Sequence, residues 1–266
     1  MGQAALEPLA RTTLAICHGR TIGGGGFVGG GGSSGSWIPE AKCGVPCTVA
    51  VARFKIRMCR REFREYYFSR IVVDMAKTLH GLLNPCIAMQ FTGSNCMTQI
   101  VPYTDRKWAD IATPQVLAKF DEVEFMLDGH PTRRLLEGTV WPISAFSLDR
   151  PYELIPCGMS FTTYPLKKGV TLEMWNGLYT NEIVKLLSSE FGILWLFSAV
   201  DIAAEDGPVG VVSALYLCEE AAQMVQPKIG EVLKRMGCLE LMRGLPYERT
   251  VGKGWTLRTP LAAPGS

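Results

Sequence analysis

Several side chains in the first half of the chain have the types needed to hold an aromatic ligand. Tyr67 and Tyr103 carry hydroxyl groups that could orient a ligand, and Trp108 offers a flat apolar ring that could line a cavity. The same three residues suit the packing of a helix against a sheet. Asp105 and Asp110 could form a carboxylate pair, although Asp105 also stands where a helix N-cap is expected. The residue types therefore leave two interpretations open, a ligand site and a packed core.

Nucleophilic and metal-dependent chemistry has little support in the sequence. The chain has three histidines, His18, His80 and His130, and none stands in a recognisable Ser-His-Asp or Cys-His setting. The nine cysteines are scattered, and no second pair completes a zinc site beside Cys43 and Cys47. We therefore expect no metal. Idle thiols are typical of a reducing compartment, either cytoplasmic or organellar.

Composition and charge narrow the class of protein. The chain has 266 residues, 47% of them hydrophobic and 20% charged, which predicts a globular protein with a real core. A net charge of +2 predicts no nucleic-acid partner, and no apolar run is long enough to predict a membrane span. One local basic run is either a solvated strand and helix face or a docking patch for a protein partner: Arg53, Arg57, Arg60, Arg61 and Arg64.

The N-terminal region differs from the rest of the chain. Residues 23–36 are mostly Gly and Ser, a composition typical of a flexible linker. Residues 1–20 contain Arg11, Arg20 and a single acid, Glu7, which is a weak indication of an organelle transit segment. We therefore predict a flexible tail over residues 1–46.

The remaining chain has the order strand, helix, strand, strand, helix, strand, twice. Hydrophobic periodicity and turn residues predict the first copy as strand 47–57, helix 61–83, strands 86–91 and 97–103, helical region 105–126 divided by Pro114, and strand 135–146. The second copy is predicted as strand 159–166, helix 170–190, strands 193–200 and 209–217, helix 219–236, and a final strand within 239–257. The run 193–197 is apolar throughout, which is typical of a strand covered on both faces.

A short fragment supports an internal repeat. The tetrapeptide EGTV at 137–140 returns as ERTV at 248–251, which is 111 residues later. Self-similarity at a fixed period indicates repeated structural units. We expect a first module over 47–148, a linker over 149–157, a second module over 158–258 and a C-terminal tail over 259–266.

A β-α-β-β-α-β order is the ferredoxin-like arrangement. In the first copy the hairpin leads into YTDRKW at 103–108, followed by Thr113-Pro114, and LCEEAA at 217–222 with Pro227 looks like the same stretch in the second copy. In these features the chain resembles the antibiotic biosynthesis monooxygenase-like modules of the dimeric α+β barrel superfamily, over residues 47–258. The resemblance implies an α+β fold in which two ferredoxin-like modules pack sheet to sheet as an intramolecular dimeric α+β barrel.

The resemblance also implies a function. In this family the cavity lies between sheet and helices of each module, and active members oxidise electron-rich aromatic compounds without a cofactor, or bind and degrade haem. The implied activity is binding of a hydrophobic small molecule, with cofactor-independent oxygenase chemistry on it. The candidate ligand-binding residues are Trp108, Tyr103, Asp110, Gln115 and Tyr67.

One departure from the family leaves a second function open. Family histidines commonly occur in the segment that matches 109–116, where this chain has Asp110 and Gln115 and no histidine. The departure disfavours haem, so no cofactor is expected. It also leaves a non-catalytic interaction or assembly subunit as the alternative. A cavity of about 300 Å³ or more would favour a ligand site, and a filled interior would favour the alternative.

Overall fold

The computed structural model describes residues 44–83, 87–92, 95–143, 152–179, 183–184, 190 and 192–257. Its strands are β1 Val45–Lys55, β2 Ile87–Thr92, β3 Cys96–Tyr103, β4 Thr132–Pro142, β5 Leu154–Pro165, β6 Ile193–Asp201, β7 Val209–Tyr216 and β8 Glu248–Leu257. Its α-helices are α1 Arg60–Tyr66, α2 Val73–Thr78, α3 Arg106–Glu122, α4 Leu172–Gly177, α5 Glu219–Arg235 and α6 Cys238–Leu241. A π-helix, Tyr67–Val72, joins α1 to α2, and a 3₁₀ turn, Glu124–Met126, follows α3.

All eight strands belong to one closed antiparallel barrel. Their order around it is β1-β3-β2-β8-β5-β7-β6-β4, and this order confirms the predicted α+β barrel. The two halves are joined edge to edge, by β2 with β8 and by β4 with β6, rather than by two separate sheets facing each other. Closure explains the difference, because it gives hydrogen-bond partners to the four strands that would otherwise be exposed edges.

Three clusters of buried side chains fill the molecule. One cluster lies between the helices and strands of the first half, and a second occupies the corresponding place in the second half. The third comes from the opposite faces of strands in both halves. All nine residues of β6 are buried, as expected for a strand covered on both faces. Within the described residues, no helix is both long enough and apolar enough to cross a membrane.

The first helical segment is shorter than predicted and contains an irregular turn. It runs from Arg60 to Thr78 and widens into the π-helix in its middle. The prediction of helix to residue 83 is wrong, because Leu79 turns to extended backbone and Leu82 bridges to Tyr103 at the end of β3. The predicted stop signal at residues 84–85 lies outside the described residues.

Pro114 does not divide the second helical region, so that prediction is also wrong. Helix α3 continues through Pro114, and the neighbouring Thr113 hydroxyl donates to the carbonyl oxygen of Ala109 at 2.8 Å. Burial of one helix face holds the two parts in line, because its side chains pack on the sheet. Helix α5 has the same length, 17 residues, and carries Pro227 at the same position.

The end of the second half also differs from the sequence pattern. Gly237 has a left-handed conformation, with φ of 81°, and starts the short helix α6. The final strand, Glu248–Leu257, lies within the predicted range 239–257 and occupies its second half. Strand β5 begins at Leu154, inside the predicted linker, because Leu154 pairs with Leu257. Most of the helix predicted beyond α4 lies outside the described residues.

The repeated tetrapeptide does not mark equivalent positions. Glu137 lies opposite Thr48 in β1, and the residue in the matching place of β8 is Lys253, opposite Gly158 in β5. Glu248, the sequence partner of Glu137, lies at the start of its strand instead. The two tetrapeptides are similar in sequence but lie at different positions along their strands. The hydrogen-bond register shows which residues of the two strands correspond.

Candidate functional site

A small cavity lies between the sheet and the helices of the first half, where the family resemblance places a ligand. We call it the inner cavity. Its volume is about 10 Å³, which is room for about one water molecule. Seven of its lining residues are apolar, among them Met75 and Leu79 from the end of the first helical segment, and three are polar: Gln99, Tyr103 and Arg133.

Tyr67 approaches the inner cavity through Gln99. The Tyr67 hydroxyl donates to Oε1 of Gln99 at 2.9 Å, and both side chains are buried. Burial raises the pKa of the Tyr67 phenol far above its ordinary value. Tyr67 therefore stays protonated and serves as a hydrogen-bond donor rather than a general base.

Arg133 is the cation of the site. It is the second residue of β4 and lies opposite Ala52, and its guanidinium donates to the Thr113 hydroxyl on α3. Burial lowers the pKa of Arg133, while the electrostatic interactions with Tyr103 and Asp110 act in the opposite direction.

The second terminal nitrogen of Arg133 is the unusual feature. Its Nη2 is buried and has no hydrogen-bond partner within the described part of the chain. Buried polar groups in native proteins are nearly always hydrogen-bonded. A buried cationic donor with an open N–H is therefore suited to an oxygen acceptor on a ligand, above all an anionic one.

An open cleft lies on the other side of Arg133, and we call it the outer cleft. Its volume is about 570 Å³, and its lining includes Arg106, Asp110 and Pro114 from α3 as well as Arg133 itself. Asp110 accepts from Nε of Arg106 at 3.0 Å. Because Arg133 lines both spaces, its side chain forms the boundary between the outer cleft and the inner cavity.

The five predicted site residues occupy three different places. Tyr103 lines the inner cavity, Tyr67 reaches it only through its hydrogen bond to Gln99, and Asp110 lines the outer cleft. Trp108 and Gln115 line neither space. Trp108 is half-buried, with its ring 5.8 Å from that of His80, and Gln115 is exposed on α3. Asp105 is the N-cap of α3 and accepts from the backbone N–H of Trp108 at 3.1 Å, so it does not form a carboxylate pair with Asp110.

Sequence reasoning missed Arg133 and Gln99. The sequence contained a signal for Arg133. Arg133 and Arg134 are consecutive in a strand, where side chains alternate between the two faces, so one of the two must point to the face that the helices cover. Gln99 interrupts an otherwise largely apolar strand and is 2% exposed. Neither signal reveals which partner the side chain meets, since Thr113 and Tyr67 lie on other elements.

In the corresponding place of the second half, Arg249 of β8 donates to Gln226 of α5, as Arg133 donates to Thr113 of α3. The space between sheet and helix of the second half is occupied by an aromatic cluster in which Trp175 lies 5.3 Å from Tyr164 and 5.9 Å from Tyr179, between ring centroids. Trp141 packs on Tyr179 at 5.6 Å. The halves therefore differ in content although their strand orders agree.

Haem does not fit the inner cavity. Its lining contains no histidine or cysteine, and both His80 and His130 are exposed. Among the described residues there is also no group of three or more His, Cys, Asp or Glu that could hold a metal ion. Among the described cysteines, Cys47, Cys59, Cys96, Cys157 and Cys238 are free thiols.

No protein-family model matches the chain, and no curated protein matches it. Solved structures do. A protein of Fusobacterium nucleatum subsp. nucleatum, provisionally described as a monooxygenase, is 13% identical with a TM-score of 0.56, and the match covers 80% of this chain and 93% of that one. A protein of Lactobacillus acidophilus with the same provisional description is 14% identical with a TM-score of 0.51, covering 81% and 97%. These likenesses show that the chain shares its fold, an α+β fold with a closed antiparallel barrel, with these two proteins.

Proposed function

We propose that the first half binds a hydrophobic or aromatic small molecule bearing an oxygen acceptor, and that it acts as a cofactor-independent oxygenase on that compound. The observation that carries the proposal is the buried Nη2 of Arg133, which has no hydrogen-bond partner within the described residues and lies at the boundary of a cleft. The provisional descriptions of the two structural neighbours agree with this chemistry.

The volumes indicate how such a ligand would bind. The inner cavity, at about 10 Å³, cannot hold an aromatic ring, whereas the outer cleft, at about 570 Å³, lies within the range of ligand sites. The ligand would therefore rest in the outer cleft with its oxygen on Arg133.

The charges suit formation of a substrate anion. An electron-rich aromatic compound becomes reactive toward dioxygen when it loses a proton. In the outer cleft the Asp110 carboxylate would accept that proton, and the guanidinium of Arg133 would stabilise the oxyanion that remains on the substrate. Arg133 lies in a partly buried place, where such a charge interaction is stronger than in water.

We also infer that the two halves are copies of one ferredoxin-like module, with boundaries near those predicted from the sequence. Each half has the strand order fourth, first, third, second. Cys47 in β1 pairs with Gly138 in β4, and Cys157 in β5 pairs with Gly254 in β8. A match to the Fusobacterium nucleatum protein over 80% of the chain necessarily includes parts of both halves.

The alternative function is a non-catalytic interaction or assembly subunit. The small inner cavity and the aromatic cluster of the second half favour it, since a filled interior leaves little room for a substrate. The two functions differ in what they predict for Arg133. An interaction subunit has no need for this side chain beyond its structural contacts.

A binding experiment separates them. Phenols of one to three rings and their oxygen-free parents, such as 1-naphthol and naphthalene, are titrated into the protein while heat release and dissolved oxygen are recorded. We expect phenols to bind, Arg133→Met to weaken them about tenfold, the loss of one charge-assisted hydrogen bond, and the oxygen-free parents to respond little. Arg235→Met, an exposed position on α5, is the matched control. Equal affinity of the folded Arg133→Met variant for phenols, with no oxygen uptake by either protein, would support the assembly subunit.

A further inference from the structure

A second groove lies on the seam between the two halves, away from the Arg133 site. We call it the basic groove. It has a volume of about 650 Å³ and is bounded by helix α1 and by strands β2 and β8. Its lining has five cations and one carboxylate: Arg60, Arg61, Arg64, Arg249, Lys253 and Glu219.

Aromatic rings under the groove hold its cations in place. The Arg60 guanidinium lies 5.2 Å from the ring centre of Phe91. The Arg64 guanidinium lies 5.5 Å, and the Lys253 ammonium 5.9 Å, from the ring of Trp255. Trp255 is only 8% exposed, so it supports the cations and is not itself a stacking surface for a ligand. Cation–π contacts of this kind position a charge without neutralising it.

Most of the positive charge in the groove is not offset by carboxylates. Arg61 pairs with Glu65 at 3.0 Å. Arg249 donates to the neutral side-chain amide of Gln226. Within the part of the chain that the structure describes, Arg64, Arg249 and Lys253 form no ion pair. Three of the five cations in the groove therefore have no ion-pair partner among the described residues.

The excess of positive charge does not extend beyond the basic groove. Arg53 pairs with Glu248, and Arg57 lies 3.9 Å from Asp128. The basic run of the sequence is therefore not one continuous positive stripe. An extended acidic partner would need such a stripe, whereas a concentrated cluster matches a small ligand that carries several charges.

The walls of the groove are rigid at the seam. Gln90 of β2 donates from Nε2 to the carbonyl oxygen of Met159 at 3.0 Å, and the Thr250 hydroxyl of β8 donates to Oε1 of Gln90 at 3.1 Å. The first bond is buried and the second is half-buried, and together they join β2, β8 and β5. A site whose cations stand on a rigid wall loses little conformational freedom when it binds.

We propose that the basic groove binds a compact polyanion, a small molecule with two or more phosphate or carboxylate groups. Guanidinium groups recognise both through paired N–H donors, and the ammonium of Lys253 adds a point charge. The volume of the groove lies in the range of small-ligand sites. This site shares no residue with the Arg133 site and does not depend on the oxygenase proposal.

Calorimetry with two probes tests the proposal, inorganic pyrophosphate for phosphate and tricarballylate for carboxylate. The full chain is titrated at low and at physiological ionic strength, together with the double variant Arg249→Gln/Lys253→Gln. The matched control is Lys167→Gln/Lys168→Gln, two exposed lysines outside the groove that remove the same charge. Circular dichroism checks that both variants keep the fold.

We expect at least one probe to bind, with tenfold or greater loss of affinity in the groove variant and less than twofold loss in the control. The preferred probe shows whether phosphate or carboxylate is the recognised group. Three results overturn the proposal: neither probe binds, the control loses as much affinity as the groove variant, or a twelve-residue polyglutamate peptide binds more tightly than both small anions.

Discussion

Replacement of Tyr67 by phenylalanine removes one buried hydrogen bond. The variant tests whether the polar side chains beside the inner cavity bond directly to each other, rather than through water. The Tyr67 hydroxyl donates to Gln99 Oε1 at 2.9 Å, and the two residues are 0% and 2% exposed. Tyr67→Phe leaves the amide oxygen of Gln99 without this donor. Leaving a buried acceptor unsatisfied costs about 1–3 kcal/mol of unfolding free energy. Gln99→Leu leaves the phenol without its acceptor, and we expect a cost of the same size.

The double variant gives the decisive number. When both partners become apolar, no unpaired polar group remains, so the combined cost should be smaller than the sum of the two single costs by about 1 kcal/mol or more. Urea unfolding followed by circular dichroism measures all three variants. Tyr66→Phe is the control, because this ring is half-buried and lies edge-on to Phe125 at 5.8 Å, and its cost should stay below about 0.5 kcal/mol.

An additive double variant would refute the reasoning. It would mean that each group finds another partner when its first one is removed, most simply water in the inner cavity, which has room for about one molecule. A single-variant cost no larger than that of Tyr66→Phe would lead to the same conclusion. Either result would weaken the view of the inner cavity as a dry, preformed part of the site.

Three other predictions use simpler changes. Burial raises the pKa of the Cys47 thiol to about 12. Above the ordinary thiol pKa, the folded state therefore keeps a proton that the unfolded state releases. The contribution of the neutral Cys47 thiol to the free energy of unfolding is complete below the pKa of the unfolded state and is lost as pH rises toward the pKa of the folded state. Between about pH 8 and about pH 10, wild type should lose about 1.4 kcal/mol more than Cys47→Ala in urea unfolding, and equal losses would contradict this. A Cβ at Gly138 would lie 2.6 Å from the Ser198 carbonyl oxygen on the β4–β6 seam, so Gly138→Ala should cost about 2–3 kcal/mol. Gly230→Ala, which meets nothing within 4 Å in helix α5, should instead add about 0.5–1 kcal/mol, and a tolerated Gly138→Ala would argue against tight closure. Trp108→Ala should lower the free energy of unfolding by about 2 kcal/mol, less than a fully buried tryptophan would, and should leave phenol affinity within twofold; a larger loss of affinity than of stability would place Trp108 in the ligand site.

The sequence pattern predicted the kinds and order of the elements well. Strand β6 was predicted from its continuous apolar run, and all its residues are buried. The Asp105 cap of α3 followed from residue type and position. These are local properties, because each depends on side chains within one or two turns or along one strand. The errors arose where distant packing overrides local rules, as at Pro114, which stays inside α3 because that helix buries one face on the sheet.

The candidate site could be predicted only in part for the same reason. Tyr67 and Tyr103 were recognised as useful residue types, but their partners Gln99 and Arg133 come from other strands and are far away in the sequence. Likewise, the basic run could be recognised in the sequence. Which of its arginines form ion pairs and which line the groove depends on Glu248 and other acidic residues that the fold places beside them.

What the amino-acid sequence determined by itself is the alternation of strands and helices, in the order strand, helix, strand, strand, helix, strand in each half, since hydrophobic periodicity acts over short distances. What only the tertiary structure decided is the closure of eight strands into one barrel, the place of Arg133 between cleft and cavity, and the collection of cations at the β2–β8 seam. Those features depend on strand register and on side chains that meet across the barrel. No local pattern contains that information, because register is set by pairing between segments remote in the chain.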